Sequence, residues 1–155
     1  MDENNWRQRM IDVPWHDPNG ENLVARVSRK TPMLFTPQDT QPAGLREANE
    51  PTLMHASGRP IRIMALDLGM KRNQIRCFTS RGVELKVVPF DHDILSETEP
   101  YDGLFLSNGP GDPTHCMSTV ERVRALISRK TDVIPVFGIC LGHQILAPVS
   151  YTHLR

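Results

Sequence analysis

From Ile61 onward, short aliphatic runs alternate with stretches of helical spacing, and Gly, Pro, Asn and Asp separate the two. The runs Ile61–Leu66, Glu84–Val88, Gly103–Leu106 and Val136–Ile139 are predicted as strands, and Lys71–Ser80 and Met117–Lys130 as helices. In the second helix Val120, Val123, Leu126 and Ile127 collect on one face, which leaves Glu121, Arg122, Arg124, Arg129 and Lys130 to water. Continuous apolar strands alternating with helices predict an α/β fold, with an open, mostly parallel sheet and flanking helices. Ligands of such sheets sit beyond the carboxyl ends of the strands, so the loops that follow the strands are where chemistry belongs.

The first 60 residues have a different texture. Seven of the 13 prolines fall there, and Thr31–Pro60 carries Pro32, Pro37, Pro42, Pro51 and Pro60 among polar residues, the composition of a linker. Ahead of it, Asn22–Ser28 suits a short strand or one helical turn, and Trp6 and Trp15 imply some apolar packing.

Charge and cysteine content narrow the class. Eighteen Lys+Arg balance eighteen Asp+Glu, so no surplus charge is available to hold a phosphate backbone or an anionic membrane. No apolar run approaches the roughly 20 residues that span a bilayer, and MDENNWRQRM has no signal-peptide stretch. Cys77, Cys116 and Cys140 are odd in number and form no CxxC pair, which argues against a disulfide framework or a zinc site. A soluble protein in a reducing, cytoplasmic setting is expected.

Two segments have the composition of a catalytic loop. In Val136–Gln144 an apolar strand runs into Gly138-Ile139-Cys140-Leu141-Gly142 and then a helix-compatible stretch. This is the nucleophile-elbow pattern with sulfur in place of a serine oxygen. A nucleophile on a sharp strand-to-helix turn needs neighbours without side chains, and the helix that follows sets partial positive charge beside the sulfur, favouring the thiolate. The competing account of Cys140 is a buried structural cysteine at a strand end. The second segment is Ser107–Pro113, where two glycines and two prolines fix a tight loop whose N–H groups can face a ligand, although Asn-Gly and Pro-Gly are also ordinary turn-formers. Both segments follow predicted strands and share the carboxyl edge of a parallel sheet.

Phe137–Gln144 (FGICLGHQ), Leu104–Pro113 (LFLSNGPGDP) and Ala65–Cys77 (ALDLGMKRNQIRC) together resemble the glutaminase domain of class I glutamine amidotransferases. More narrowly they are similar to the small subunit of glutamine-dependent carbamoyl-phosphate synthetase, with the Lys71–Cys77 wording nearest to the form fused in eukaryotic multifunctional pyrimidine-synthesis proteins. The resemblance is clear from Ile61 to Ala147. It implies residues 1–30 as the end of an amino-terminal small-subunit domain, 31–60 as linker, 61–147 as the amino-terminal part of the glutaminase domain, and 148–155 as a tail that does not match.

The implied chemistry is cysteine-based amide hydrolysis of L-glutamine, with Cys140 as nucleophile and the main-chain N–H groups of Leu141 and Gly109 as oxyanion donors. Gly109, Gly111, Leu141 and Gln144 are the implied substrate contacts. The implied partner is an ammonia-using carbamoyl-phosphate synthetase domain or subunit, which holds ATP and Mg; no cofactor or metal is expected in this chain. The family's catalytic histidine and glutamate lie well downstream of the nucleophile, and no matching motif occurs among His16, His55, His92, His115, His143 and His153. Pro148 is expected to break the post-nucleophile helix. The chain is therefore expected to be a truncated piece, inactive alone. Two alternatives stay open: a non-catalytic module that docks a synthetase, and an amidotransferase serving GMP or anthranilate synthesis. Among the remaining features, Cys77 and Cys116 suit packing or surface positions, and Asp67 and Lys71, flanking Gly69, suit a salt-bridged turn.

Overall fold

A computed structural model describes residues 16–38 and 53–151. Its elements in chain order are α1 (Leu23–Val27), β1 (Met33–Phe35), β2 (Arg62–Asp67), α2 (Arg72–Thr79), β3 (Glu84–Pro89), β4 (Gly103–Leu106), α3 (Met117–Ile127), β5 (Val136–Gly138) and α4 (Leu141–Tyr151). The four predicted strands and two predicted helices all form, with ends displaced by at most three residues. The strands make one sheet in the order β1-β3-β2-β4-β5. β2 to β5 run parallel, and β1 is antiparallel to β3. The fold is the mostly parallel α/β sheet expected.

β2 lies at the centre, and its apolar run has no polar alternation because both of its faces are covered. Met64 and Leu66 point into a core closed by α3 and α4, while Ala65 points to the opposite face, beside Leu85 and Phe105 under α2. On α3 the apolar stripe is Val120, Val123 and Leu126; Ile127, predicted to join it, is 39% exposed at the helix end. Arg124, read as solvated, donates instead to the Pro148 carbonyl at 3.3 Å and ties α3 to α4.

Two local expectations need correction. The segment read as linker contributes β1, whose Met33, Leu34 and Phe35 pair with Val87, Lys86 and Leu85; its composition concealed a strand only three residues long. Ahead of it, the segment 22–28 packs on the sheet, with Val24 just 1% exposed in the main core. Pro148 lies inside α4 and does not end it. A proline there removes one helical N–H donor and crowds the preceding turn, but Leu141, Ile145 and Val149 form a buried i, i+4, i+8 stripe that holds the helix to the core. Residues 1–15, 39–52 and 152–155, parts of the expected amino-terminal domain, linker and tail, lie outside the described residues.

β5 forms one border of the sheet, and Phe137 on it is 63% exposed, stacked on Phe105 with ring centroids 6.1 Å apart.

A charged cluster fastens the segment after β3 to the sheet. Lys86 Nζ lies 2.9 Å from both Glu97 Oε2 and Glu99 Oε2, and His92 reaches Glu97 at 3.4 Å. Burial alone would raise the Glu97 pKa, but the Lys86 hydrogen bond and charge, the Glu99 N–H and His92 outweigh it and bring the carboxyl from 4.5 down to about 2. A depressed carboxyl adds stability that is fully present above its unfolded value and is lost as pH falls toward its folded one. The protein is therefore expected to lose up to about 3 kcal/mol from this group between pH 4.5 and 2. Glu97→Gln should be less stable than the parent at pH 7 by denaturant unfolding, with the gap closing by pH 2; an equal gap at both pH values would exclude the linkage.

Candidate active site

Cys140 follows β5 by two residues and stands immediately before α4, exposed, with a backbone φ of +50°. Left-handed backbone at a residue with a Cβ is uncommon and costs about 1 kcal/mol or more. Contacts on both sides hold it. Ile139 N donates to the Leu106 carbonyl at 3.1 Å, Gly142 N to the Ile139 carbonyl at 2.9 Å, and Gln144 N to the Cys140 carbonyl at 3.0 Å. A Cβ on Gly142 would stand 2.2 Å from the Leu106 carbonyl oxygen, and one on Gly138 would stand 2.6 Å from the Gly142 carbonyl. Both glycines of the motif are thus fixed by close backbone approach, and the chain makes the sharp strand-to-helix turn expected at Gly138–Gly142. The reading of Cys140 as a buried structural cysteine is excluded by its exposure; Cys116 fills that role, fully buried, with burial foremost and Asp112 second pushing its thiol up to about 11.

The glycine loop lies on the neighbouring strand. β4 and β5 are parallel with Leu106 opposite Gly138, so Asn108–Gly109 and Cys140 emerge at the same edge. Leu141 is the first residue of α4, where a helix leaves its N–H groups without intrahelical partners. Among the described residues neither the Leu141 N–H nor the Gly109 N–H donates a hydrogen bond. Gln144 is exposed one turn into α4, and Gly111 turns the loop at φ +87° against the Leu23 Cβ, 3.3 Å from where its own Cβ would be. The structure therefore collects Cys140, Leu141, Gln144, Gly109 and Gly111 on two adjacent connections at one sheet edge. It brings no histidine to the sulfur: among the described residues Cys140 has no side-chain hydrogen bond, and His143 is exposed on α4.

Sequence reasoning missed the support beneath the loop. The Asp67 carboxylate, 8% exposed at the end of β2, accepts from Gly69 N (3.0 Å) and Met70 N (2.8 Å) through Oδ1, and from Arg29 N (3.0 Å) through Oδ2. Its ion-pair partner among the described residues is Arg29, at 3.8 Å, and not Lys71. The turn it shapes carries the loop: Leu68 N donates to Ser107 Oγ at 2.9 Å, Asn108 Nδ2 to the Gly69 carbonyl at 3.3 Å, and the Leu68 carbonyl fills the space a Gly109 Cβ would need. From the other side, Asn22 caps α1 through Ala25 N and donates to the His115 carbonyl at 3.4 Å. The Asp-x-Gly signal was visible in the sequence, but the partner from residue 29 was hidden behind the proline-rich stretch.

A family profile described as glutamine amidotransferase class-I matches residues 64–151. The multifunctional protein ura1 of Schizosaccharomyces pombe is 50% identical over 142 residues, covering 92% of this chain and 6% of that protein. The multifunctional protein URA2 of Saccharomyces cerevisiae is 49% identical over 143 residues, again 92% of this chain and 6% of that protein. The carbamoyl phosphate synthase arginine-specific small chain of Candida albicans is 40% identical over 139 residues, 90% of this chain and 28% of the relative. The chain thus spans a small part of the length of each relative it matches.

The strain at residue 140 is open to a direct test. Replacing Cys140 by alanine keeps a Cβ at φ +50°, whereas glycine relieves it. Cys140→Gly is expected to unfold later in denaturant than Cys140→Ala by about 1 kcal/mol, the reverse of their order at an ordinary loop position, where alanine wins through the unfolded chain. Equal stability, or alanine ahead, would mean that the turn is unstrained.

Proposed function

This chain belongs to the class I glutamine amidotransferase family, and we propose that it is the glutaminase component of a glutamine-hydrolysing carbamoyl-phosphate synthase. The observation that carries the reading is the exposed Cys140 on its strained turn, in register with the Gly109 loop. The 40–50% identity to multifunctional proteins and to a carbamoyl phosphate synthase small chain supports the choice of acceptor.

In the proposed reaction the Cys140 sulfur attacks the side-chain amide carbon of L-glutamine, forming an S–C bond and a tetrahedral oxyanion. The Gly109 and Leu141 N–H groups donate to that oxygen, which in other acyl-transfer enzymes is worth roughly 3 kcal/mol of barrier per donor. Collapse of the intermediate breaks the C–N bond and releases ammonia, the nitrogen taking up a proton. Water then cleaves the thioester to glutamate and restores the thiolate. Gly111 and Gln144 complete the glutamine contacts, by the resemblance of their motifs. The proton-transfer histidine and glutamate are proposed to come from residues of the parent protein beyond this segment. Ammonia is consumed by a synthetase domain or subunit that activates bicarbonate with ATP and Mg bound on that partner. Identity is 42–50% to multifunctional proteins and 40% to arginine-specific small chains, which supports a synthetase fused in the same polypeptide. The proposed setting is cytoplasmic; among the described residues no helix is long and apolar enough to cross a membrane.

The second reading for the isolated segment is a docking module that hydrolyses nothing. Glutamine-dependent glutamate release separates the two. The full-length parent is expected to turn over glutamine and to lose at least 10³-fold in kcat on Cys140→Ser, while the 155-residue chain alone releases little or no glutamate. Turnover that survives Cys140→Ser in the parent would refute the assignment.

A further inference from the structure

The oxyanion loop has no rigid element of its own, yet the proposed reaction requires the Gly109 N–H to be aimed within a fraction of an ångström. What fixes it is the turn after β2. Gly69, at φ +128°, lies so close to the loop that a Cβ there would meet the Gly109 Cα at 3.2 Å and the Pro110 Cδ at 3.0 Å. The Leu68 carbonyl occupies the one direction in which Gly109 has no side chain, and the Gly69 carbonyl receives Asn108 Nδ2. The shape of that turn is in turn set by three main-chain N–H groups converging on the Asp67 carboxylate, one of them, Arg29 N, from the amino-terminal segment. Asp67 is nearly buried and touches no part of the loop by any hydrogen bond of its own.

We propose that Asp67 is a positioning residue of the glutaminase reaction: by clamping the Leu68–Gly69 turn and joining it to the segment at Arg29, its carboxylate sets the direction of the Gly109 N–H toward the oxyanion. The inference rests on the reading of Gly109 as an oxyanion donor. Both carboxylate oxygens are acceptors, so an asparagine must turn its NH₂ toward an N–H donor on one side or the other. The turn then relaxes away from the loop. Because the oxyanion exists only after attack, the loss falls on kcat more than on KM, and a misplacement of about 1 Å is sufficient for a hundredfold effect.

The test compares full-length parent protein with Asp67→Asn, Asn108→Ala and Asp102→Asn. Asp102 is a matched control: it too accepts a main-chain N–H (Arg62, 2.9 Å) and pairs with an arginine (Arg59, 2.7 Å through each oxygen), but at the opposite end of β4. Asp67→Asn is expected to lower glutaminase kcat 10- to 100-fold per folded molecule with KM within threefold, and to leave alkylation of Cys140 by iodoacetamide within twofold, since that displacement forms no oxyanion. Asp102→Asn is expected to lower the melting temperature while kcat stays within twofold. Asn108→Ala cuts the tie between turn and loop and also removes a buried acceptor, Oδ1, that has no hydrogen-bond partner among the described residues. It should therefore fold even if Asp67→Asn does not, with kcat reduced at least fivefold. Unchanged kcat in both Asp67→Asn and Asn108→Ala, a loss carried by KM, or iodoacetamide reactivity falling in step with kcat would each overturn the proposal. Failure of the underlying reading shows differently, as parent protein that does not hydrolyse glutamine or whose hydrolysis is indifferent to Cys140→Ser.

Discussion

The contact between Gly142 and the Leu106 carbonyl is the constraint on which the site depends. Backbone sits where a side chain would be, with only 2.2 Å between a notional Cβ and the oxygen. This approach lets α4 start directly over the end of β4, with the chain at Cys140 turned to φ +50° and the residue exposed. The strain is tolerated because Leu141, Ile145 and Val149 anchor the helix on one side and the parallel pairing of β4 with β5 anchors the strand on the other. Strained backbone persists only where its surroundings over-determine it, and here a hydrophobic stripe and a ladder of hydrogen bonds both do so.

Much of this was legible in the chain. A strand whose interior is apolar at every position declares itself buried on both faces, so β2 and β4 were readable from composition and length, β3 from Leu85, Val87 and Val88 between its charged residues, and Gly138-x-Cys140-x-Gly142 announced a turn too tight for side chains. The helix face at Val120, Val123 and Leu126 followed from spacing. Legibility failed where a short local pattern met a stronger tertiary one. β1 spans only Met33–Phe35 and is a strand because β3 offers it an edge; three residues carry no periodicity. Pro148 should end a helix by every local rule, and burial of Val149 overrides it. The Asp67 partner could not be read at all, since pairing residue 67 with residue 29 depends on how the intervening chain returns.

The same logic separates the two ends of the sheet. At the carboxyl edge polar groups converge on backbone, as at Asp67, Ser107 and Asn108, and shape is what they provide. Along the sheet toward the amino edge they converge on one another, as in Arg59–Asp102, Arg62–Glu84 and Lys86–Glu97–Glu99. The first arrangement holds the turn after β2 against the loop after β4. The second fastens the segment after β3, and the Glu97 carboxyl, 8% exposed in its side chain, gains most from the cation beside it.

The exposed Phe137 on β5 has a consequence for anyone handling this polypeptide. Among the described residues no strand pairs with the outer side of β5, so a row of peptide groups and an aromatic ring face solvent together. Such a border is a template for unwanted lamination of one molecule onto the next. A charge on such a strip disfavours edge-to-edge pairing, and Phe137 is the position on β5 where a lysine would stand in solvent.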